Sequence, residues 1–200
     1  MPRVRPSIVV PLVLFGGGGL AVLGVAVFFL ANAWFGVPVG AQGPVQPIAF
    51  PHTVHAGAPA EDGTGGLGLS CTFCHRNVEQ GAAATVPAVE QCMFCHAAVG
   101  GTTETAQAEI QKLRDTAKVG EPILWKRVYR LPDHVQFVHD VHVRLLSQQQ
   151  GVTPSETCST CHGQVETMIK VTQVRSLKMG DCVDCHRQYT APTDCAICHY

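Results

Sequence analysis

The chain has 200 residues, with 14 basic and 15 acidic side chains and a formal net charge of −1 at pH 7. This balance excludes a protein that binds nucleic acid through a strongly basic surface. Aromatic residues make up only 6% of the chain, whereas ten cysteines and ten histidines are present, so we expect a small side-chain core supported by a cofactor.

The N-terminus is predicted to anchor the chain in a membrane. Residues 7–35 carry no charge and are rich in Val, Leu, Phe, Ala and Gly, and a membrane-spanning helix needs about 20 apolar residues. Because Arg3 and Arg5 precede this segment, residues 1–6 should be a cytoplasmic tail, residues 7–35 a single transmembrane helix, and the rest should lie across the membrane. A cleavable signal peptide is the alternative, because Ala31 and Ala33 form an A-x-A site.

The rest of the chain divides into a linker, two modules and a connection between them. Residues 36–49 are uncharged and rich in Gly and Pro, which favours an extended linker. Residues 50–102 form a module with two C-x-x-C-H motifs, and residues 131–200 form a second module with three. Residues 103–130 are predicted to be a connecting helix and linker, because apolar side chains recur with the helical period over 103–118.

All ten cysteines fall in five C-x-x-C-H motifs, the signature of covalent haem c attachment. The two thiols of a motif add to the haem vinyl groups as thioethers, and the adjacent histidine reaches the iron. The motifs are Cys71-Cys74-His75, Cys92-Cys95-His96, Cys158-Cys161-His162, Cys182-Cys185-His186 and Cys195-Cys198-His199. Five disulfides or several zinc sites are the alternatives, but neither needs a histidine directly after each second cysteine. The pattern predicts five covalently bound haem c groups: a dihaem module followed by a trihaem module.

A gapless repeat relates the two modules. The sequence F-P-H-T-V-H at residues 50–55 recurs as F-V-H-D-V-H at residues 137–142, and every landmark up to the next C-x-x-C-H motif is displaced by 87 positions. Pro51 suits the start of a helical turn, and Asp133 with Gln136 resembles a capping pair before the second turn. The two histidines of each copy should therefore project from one helical face.

Five histidines lie outside the motifs, one for each predicted haem iron. They are His52, His55, His134, His139 and His142. The matching numbers predict that all five irons are bound by two histidines. Met168 and Met179 are the alternative distal ligands, and methionine ligation would raise a reduction potential.

Half of the basic side chains that follow residue 35 are concentrated between residues 112 and 130. They are Lys112, Arg114, Lys118, Lys126, Arg127 and Arg130. Some of them are expected to neutralise haem propionates or to dock an acidic partner. The alternative is a solvated helix face.

These features resemble class III multihaem cytochromes c, in which F-x-H-x-x-H precedes C-x-x-C-H. The apolar N-terminus, the two-plus-three motifs, and E-P-I-L-W-K-R-V at 121–128 leading to L-P-D-H at 131–134 are similar to the pentahaem subunits of bacterial alternative complex III. The resemblance implies a mainly α fold with extensive irregular loops, in which one N-terminal transmembrane helix carries a class III-like domain packed around haems. It also implies single-pass localisation in the bacterial inner membrane, with the haem domain on the periplasmic side.

The family acts within a quinol-oxidising membrane complex. The implied partners are an iron–sulfur subunit, polytopic quinol-binding membrane subunits and a monohaem cytochrome. We therefore expect an electron-transfer subunit, not an enzyme by itself, which relays electrons through stacked haems to a periplasmic acceptor. Two alternatives stay open: an anchored quinol dehydrogenase cytochrome that feeds periplasmic reductases, and a pentahaem reductase, although such enzymes often replace the histidine of one motif.

The resemblance also implies which histidines share an iron. In class III cytochromes, the first histidine of F-x-H-x-x-H serves the haem that follows, and the second serves the next haem along. The implied pairs are His52 with His75, His55 with His96, His139 with His162, and His142 with His186. His134 is then left for the haem on His199. In the competing arrangement His134 serves the haem on His96.

Overall fold

The computed structural model describes residues 16–35 and 43–200 of the chain. The predicted cytoplasmic tail at residues 1–6 and the linker residues 36–42 lie outside the described residues. Within the described ranges the structure consists of helices joined by irregular loops, without β-strands, and one isolated antiparallel bridge joins Val135 to His199.

Most of the helices are short, and several are single turns that carry a cysteine pair or a histidine pair. The α-helices are α1 (Gly18–Phe35), α2 (His52–His55), α3 (Cys71–Cys74), α4 (Val89–His96), α5 (Glu104–Val119), α6 (His139–Gln150), α7 (Pro154–Thr157), α8 (Ser159–His162), α9 (Met179–Gln188) and α10 (Cys195–Cys198). Two 3₁₀ helices lie at Arg76–Glu79 and Val165–Thr167, shortly after the first motif of each sequence repeat.

The predicted transmembrane helix over residues 7–35 is wrong. Within the described residues, helix α1 covers Gly18–Phe35. Within residues 16–35 and 43–200, no helix combines the length and the apolar character that a membrane span requires. The predicted single-pass localisation in an inner membrane, with a cytoplasmic N-terminus, depended on that helix and is wrong with it. Residues 7–15 lie outside the described residues.

The described residues belong to two compact units. The first unit takes those of Met1–Val39 together with Ser176–Thr193, and the second takes those of Gly40–Arg175 together with Asp194–Tyr200. In the first unit α9 packs on α1, and the Lys178 ammonium donates a hydrogen bond to the Ala33 carbonyl at 2.8 Å. Carbonyls in the last turn of a helix lack intrahelical donors, so Lys178 satisfies one of them at the end of α1.

Side-chain packing in the second unit is limited to small clusters. Among the described residues, the buried apolar side chains are Val78, Val89, Leu113 and Val143, and none is fully enclosed. Val89 and Leu113 lie on α4 and α5, which pack together, whereas Val78 lies on the first 3₁₀ helix and Val143 on α6, which form a second packed pair. The prediction of a small side-chain core is confirmed.

Helix α5 follows the sequence pattern closely. The hydroxyl of Thr103 accepts a hydrogen bond from the Ala106 amide at 3.2 Å, which caps the first turn. Gly120 ends the helix with φ 75°, the left-handed conformation that favours glycine. A threonine cap thus marks the start of the helix and a glycine marks its end. The predicted helix over 103–118 is confirmed to within one residue at each end.

The two repeats exchange contacts reciprocally. Helix α2, which carries the first histidine pair, packs on the 3₁₀ helix Val165–Thr167 of the second repeat. Helix α6, which carries the second pair, packs on the 3₁₀ helix Arg76–Glu79 of the first repeat, and the His139 amide donates to the Ala82 carbonyl at 3.1 Å. In each repeat, the histidine helix contacts the 3₁₀ helix of the other repeat. Reciprocal contacts of this kind are found between two copies related by a two-fold axis, so the sequence repeat corresponds to an approximate internal symmetry.

Candidate haem-attachment sites

Every C-x-x-C pair lies on a helical turn. The first and fifth pairs bound helices α3 and α10, the second and fourth lie within α4 and α9, and the third lies where α7 meets α8. Residues three apart in a helix project from the same side, which allows two thiols to reach two vinyl groups of one haem. All ten cysteines are free thiols in the structure, so the five-disulfide alternative has no support.

Seven of the ten histidines have ring nitrogen Nδ1 hydrogen-bonded to a backbone carbonyl. The acceptors are Pro51 for His55 (3.3 Å), Thr85 for His75 (2.6 Å), Val99 for His96 (3.1 Å), Ala82 for His139 (2.8 Å), Val138 for His142 (2.7 Å), Pro192 for His186, and His134 for His199 (3.3 Å). A carbonyl oxygen only accepts, so Nδ1 of each ring carries a proton, and Nε2 is the nitrogen with the lone pair in the neutral ring. This is the tautomer in which an imidazole binds a metal through Nε2.

The carbonyl that holds His75 belongs to a residue with an unusual backbone. Thr85 has φ 58°, in the left-handed region that β-branched residues rarely adopt. Its oxygen nevertheless lies 2.6 Å from Nδ1 of His75. Strained backbone persists where the surrounding structure fixes a functional group, so the loop after the first motif is shaped to orient His75.

Two of the predicted histidine pairs have ring spacings that fit one shared iron. The ring centroids of His55 and His96 are 6.0 Å apart, and those of His134 and His199 are 5.5 Å apart with planes inclined by 16°. Two imidazoles that bind one metal through bonds of about 2.0 Å should have centroids roughly 6 Å apart. The Val135–His199 bridge brings the second pair together, because it lays the segment after His134 against the C-terminal motif.

Burial keeps two further histidines neutral. Burial, followed by the charges of His75 and then His55, lowers the pKa of His52 to about 4. Burial, followed by the charges of His139 and then His75, lowers the pKa of His162 to about 4. In both cases the strongest electrostatic neighbour is the other member of the predicted pair, and the neutral imidazole is the form that binds a metal.

His52 is held differently from His139, its counterpart in the second repeat. Nδ1 of His52 is buried without a hydrogen-bond partner, whereas Nδ1 of His139 donates to Ala82. A buried polar nitrogen without a partner costs about 1–3 kcal/mol. The internal symmetry therefore does not extend to the hydrogen bond that orients the first histidine of each pair.

The phenylalanine at the head of each F-x-H-x-x-H sequence contacts both of its histidines. Phe50 stacks on His55 with centroids 4.3 Å apart and meets His52 edge-on at 5.0 Å. Phe137 repeats this geometry, stacking on the second histidine of its pair at 4.3 Å and meeting the first edge-on at 4.8 Å. The sequence repeat marked both phenylalanine positions, and the structure adds that they pack against the imidazoles.

The first attachment cysteines of the two repeats meet at Ser155. The Cys71 amide donates to the Ser155 hydroxyl at 2.6 Å, and Cys71 Sγ lies 3.6 Å from the Ser155 carbonyl oxygen. A hydrogen bond from the Cys158 thiol lowers the pKa of Cys71 to about 6, and the same contact raises the pKa of Cys158. Ser155 therefore joins two attachment sites whose first cysteines are 87 positions apart. No pattern in the sequence pointed to Ser155.

The remaining predicted ligands are distributed over both units. His142 lies on α6 in the second unit and His186 on α9 in the first, so their pairing stays a prediction. Met179, an alternative ligand, begins α9 and is 58% exposed. Met168, the other alternative, follows the second 3₁₀ helix.

The general expectation of a metal-binding protein needs a correction. Within the part of the chain that the structure describes, no group of three or more His, Cys, Asp and Glu side chains could hold a metal ion. A bare ion would need at least three such ligands, so this expectation is wrong for an ion held by side chains alone, zinc included. Haem iron is bound by the macrocycle and needs only two axial side chains, and the ten histidines stay predicted axial ligands.

Compared with known proteins, the chain matches no protein-family model and no curated sequence. A functional assignment therefore depends on the motifs and on the geometry of the histidines.

Proposed function

We propose that the chain is a pentahaem c-type cytochrome, the electron-transfer subunit of a quinol-oxidising complex of the kind that its motifs resemble. It passes electrons from a quinol-oxidising partner to an acceptor protein, and it makes or breaks no substrate bond itself. The partners proposed from the resemblance are an iron–sulfur subunit, quinol-binding membrane subunits and a monohaem cytochrome.

One observation carries the proposal: the histidines share a tautomer. Of the seven that donate Nδ1 to a backbone carbonyl, four follow a C-x-x-C pair and three belong to F-x-H-x-x-H sequences. Histidines without a common role have no reason to expose the same nitrogen. A set that presents Nε2 from both kinds of motif supports axial ligation from two sides.

Haem c would supply a one-electron iron couple at each motif. The residues of the chain determine the position and surroundings of each site. The two thiols on one helical turn would hold the cofactor covalently, and the adjacent histidine and a distal histidine would ligate its iron. The backbone carbonyls fix the ring orientations and increase the basicity of the ligands.

The contact at Ser155 supports a relay rather than five independent sites. Ser155 precedes the third motif by three residues, and its hydrogen bond with the Cys71 amide holds the attachment sites of the two repeats side by side. The histidines of the same two motifs are also neighbours, because the charge of His75 contributes to lowering the pKa of His162. Electron transfer between cofactors requires such close spacing, whereas storage or sensing by single haems does not.

The test is the number of covalent haems. Intact-mass measurement after acid treatment should give the polypeptide plus five haem masses, and the pyridine haemochrome assay should give five haems per chain. The double variant Cys195→Ala/Cys198→Ala is the matched control, because it should lose one haem mass. Fewer than four haems in the unaltered protein would contradict the proposal.

The role in a complex is tested separately. Purification in mild detergent should recover the chain with quinol-oxidising partners, and the isolated chain should not oxidise a quinol. Rapid reduction of the isolated chain by a quinol would instead support a stand-alone quinol dehydrogenase.

A further inference from the structure

Arg114 is hydrogen-bonded to the segment that holds His96. Its Nε donates to the His96 carbonyl at 2.8 Å, and its Nη2 donates to the Val99 carbonyl at 3.3 Å. The Val99 carbonyl is also the acceptor for Nδ1 of His96, at 3.1 Å. The guanidinium and the imidazole therefore share one carbonyl oxygen.

We propose that Arg114 is a positioning residue that raises the reduction potential of the haem bound by His96, by drawing electron density from the carbonyl that accepts the His96 ring proton. The proposal rests on the proposed function, because it requires a haem at the second motif. It goes beyond that function by assigning one basic side chain to the tuning of one site.

The sign follows from two effects that act in the same direction. A cation bound to the Val99 carbonyl makes that oxygen a poorer acceptor, so the His96 ring keeps more of its proton and is a weaker donor to iron. A weaker donor stabilises the ferric state less. The fixed positive charge of Arg114 also disfavours the extra positive charge of ferric iron.

Helix packing holds Arg114 in this position. Helix α5, which carries Arg114, packs on α4, which ends at His96. Val89 on α4 and Leu113, the neighbour of Arg114, are two of the few buried apolar side chains in the described residues. The guanidinium therefore projects from a well-packed part of the helix. The packing fixes the backbone of Arg114, and the two hydrogen bonds fix the position of its side chain.

The other basic residues of α5 are engaged elsewhere. Lys112 pairs with Glu109 and Lys118 with Asp115, both within the helix, and their side chains are 54% and 71% exposed. Arg114 forms no ion pair with a carboxylate among the described residues, so its charge is directed at the two carbonyls. Lys118 is the matched control, because it places a cation on the same helix without contacting the segment around His96.

The experiment is a redox titration of the five-haem protein and its variants. Arg114→Gln should lower the reduction potential of one haem. Arg114→Lys should lower it less, because lysine keeps the charge but cannot reach both carbonyls. Lys118→Gln should leave all reduction potentials unchanged. The shifted haem should be the one whose potential His55→Met raises, since His55 is the predicted distal partner of His96. In ¹⁵N-histidine spectra, the Nδ1–H signal of His96 should move downfield in Arg114→Gln as its hydrogen bond strengthens.

Two results would overturn the inference: unchanged potentials in both Arg114 variants, or an equal shift in Lys118→Gln. If Arg114→Gln does not assemble with five haems, Arg114→Lys decides by itself, and an unchanged potential there counts against the inference. The haem count of the unaltered protein separates this failure from failure of the proposed function, because five haems with no effect of Arg114 would refute only the tuning role.

Discussion

The contact between the two repeats can be tested by replacing Ser155. Its hydroxyl accepts the amide hydrogen of Cys71, the first residue of α3, at 2.6 Å. Helix α3 has no side-chain cap of its own, since Ser70 at its N-cap position makes no capping hydrogen bond. Ser155 therefore caps this turn from 84 residues away in the sequence. Ser155→Ala leaves a half-buried amide without an acceptor, and loss of a cap of this kind costs about 1–2 kcal/mol.

The expected effect is large enough to measure. For a chain of this length, each 1 kcal/mol lowers the melting temperature by about 2–4 °C, so Ser155→Ala should lower it by roughly 2–8 °C. Thermal unfolding of the haem-containing protein, followed by circular dichroism, measures the shift. Ser159→Ala is the matched control, because the exposed Ser159 hydroxyl donates only to the nearby Glu156 carbonyl at 2.9 Å. If both variants melt at the same temperature, the hydrogen bond from Cys71 does not hold the repeats together.

Three further outcomes are expected. Carbon monoxide should leave the spectrum of the fully reduced protein nearly unchanged, because ten histidines can fill all axial positions of five irons; binding to one haem in the unaltered protein would favour the reductase alternative. His134→Gly should allow carbon monoxide to bind one haem per chain, and added imidazole should prevent that binding. The control variant Asp133→Asn should behave like the unaltered protein. If His134→Gly binds no carbon monoxide, His134 serves no iron. Burial lowers the pKa of His52 and His162 to about 4 from 6.5, so below pH 6.5 the unfolded chain takes up protons that the folded chain does not. The free energy of unfolding should therefore fall as the pH drops from 6.5 towards 4, and it should not depend on these two groups above pH 6.5. Denaturant titrations at several pH values would measure this change. A free energy of unfolding that stays constant between pH 6.5 and 4 would show that neither ring is neutral because of burial.

Predictions that depended on local sequence succeeded where both ends of an element had a signal. Helix α5 has a threonine cap, apolar residues at helical spacing and a terminal glycine, and it was predicted to within one residue at each end. The second histidine helix ends at a glycine, Gly151, but its start has no side-chain cap. Asp133 and Gln136 resembled a capping pair, yet α6 begins at His139, and the Gln136 amide donates to the Cys198 carbonyl at 2.8 Å. A contact 62 residues away replaced the predicted cap.

The apolar N-terminus shows a different limit of sequence reasoning. Composition alone made residues 7–35 long enough to span a bilayer, but within the described residues 16–35 no helix combines the length and the apolar character that a span requires. Hydropathy measures how apolar a segment is, and it does not determine how much of the segment is one helix.

The sequence by itself determined where two thiols and an imidazole lie together, because C-x-x-C-H is a local pattern in which residues on one turn supply all three groups. It also determined which histidines recur together, since the 87-residue displacement is visible without a structure. Only the tertiary structure decided which backbone carbonyl orients each ring, that Ser155 joins the first motifs of the two repeats, and that Arg114 shares an acceptor with His96. Some of these contacts, such as those of Ser155 with Cys71 and of His139 with Ala82, join residues far apart in the chain and arise when helices pack. Residue spacing along one segment carries no information about the surface that another segment will present to it.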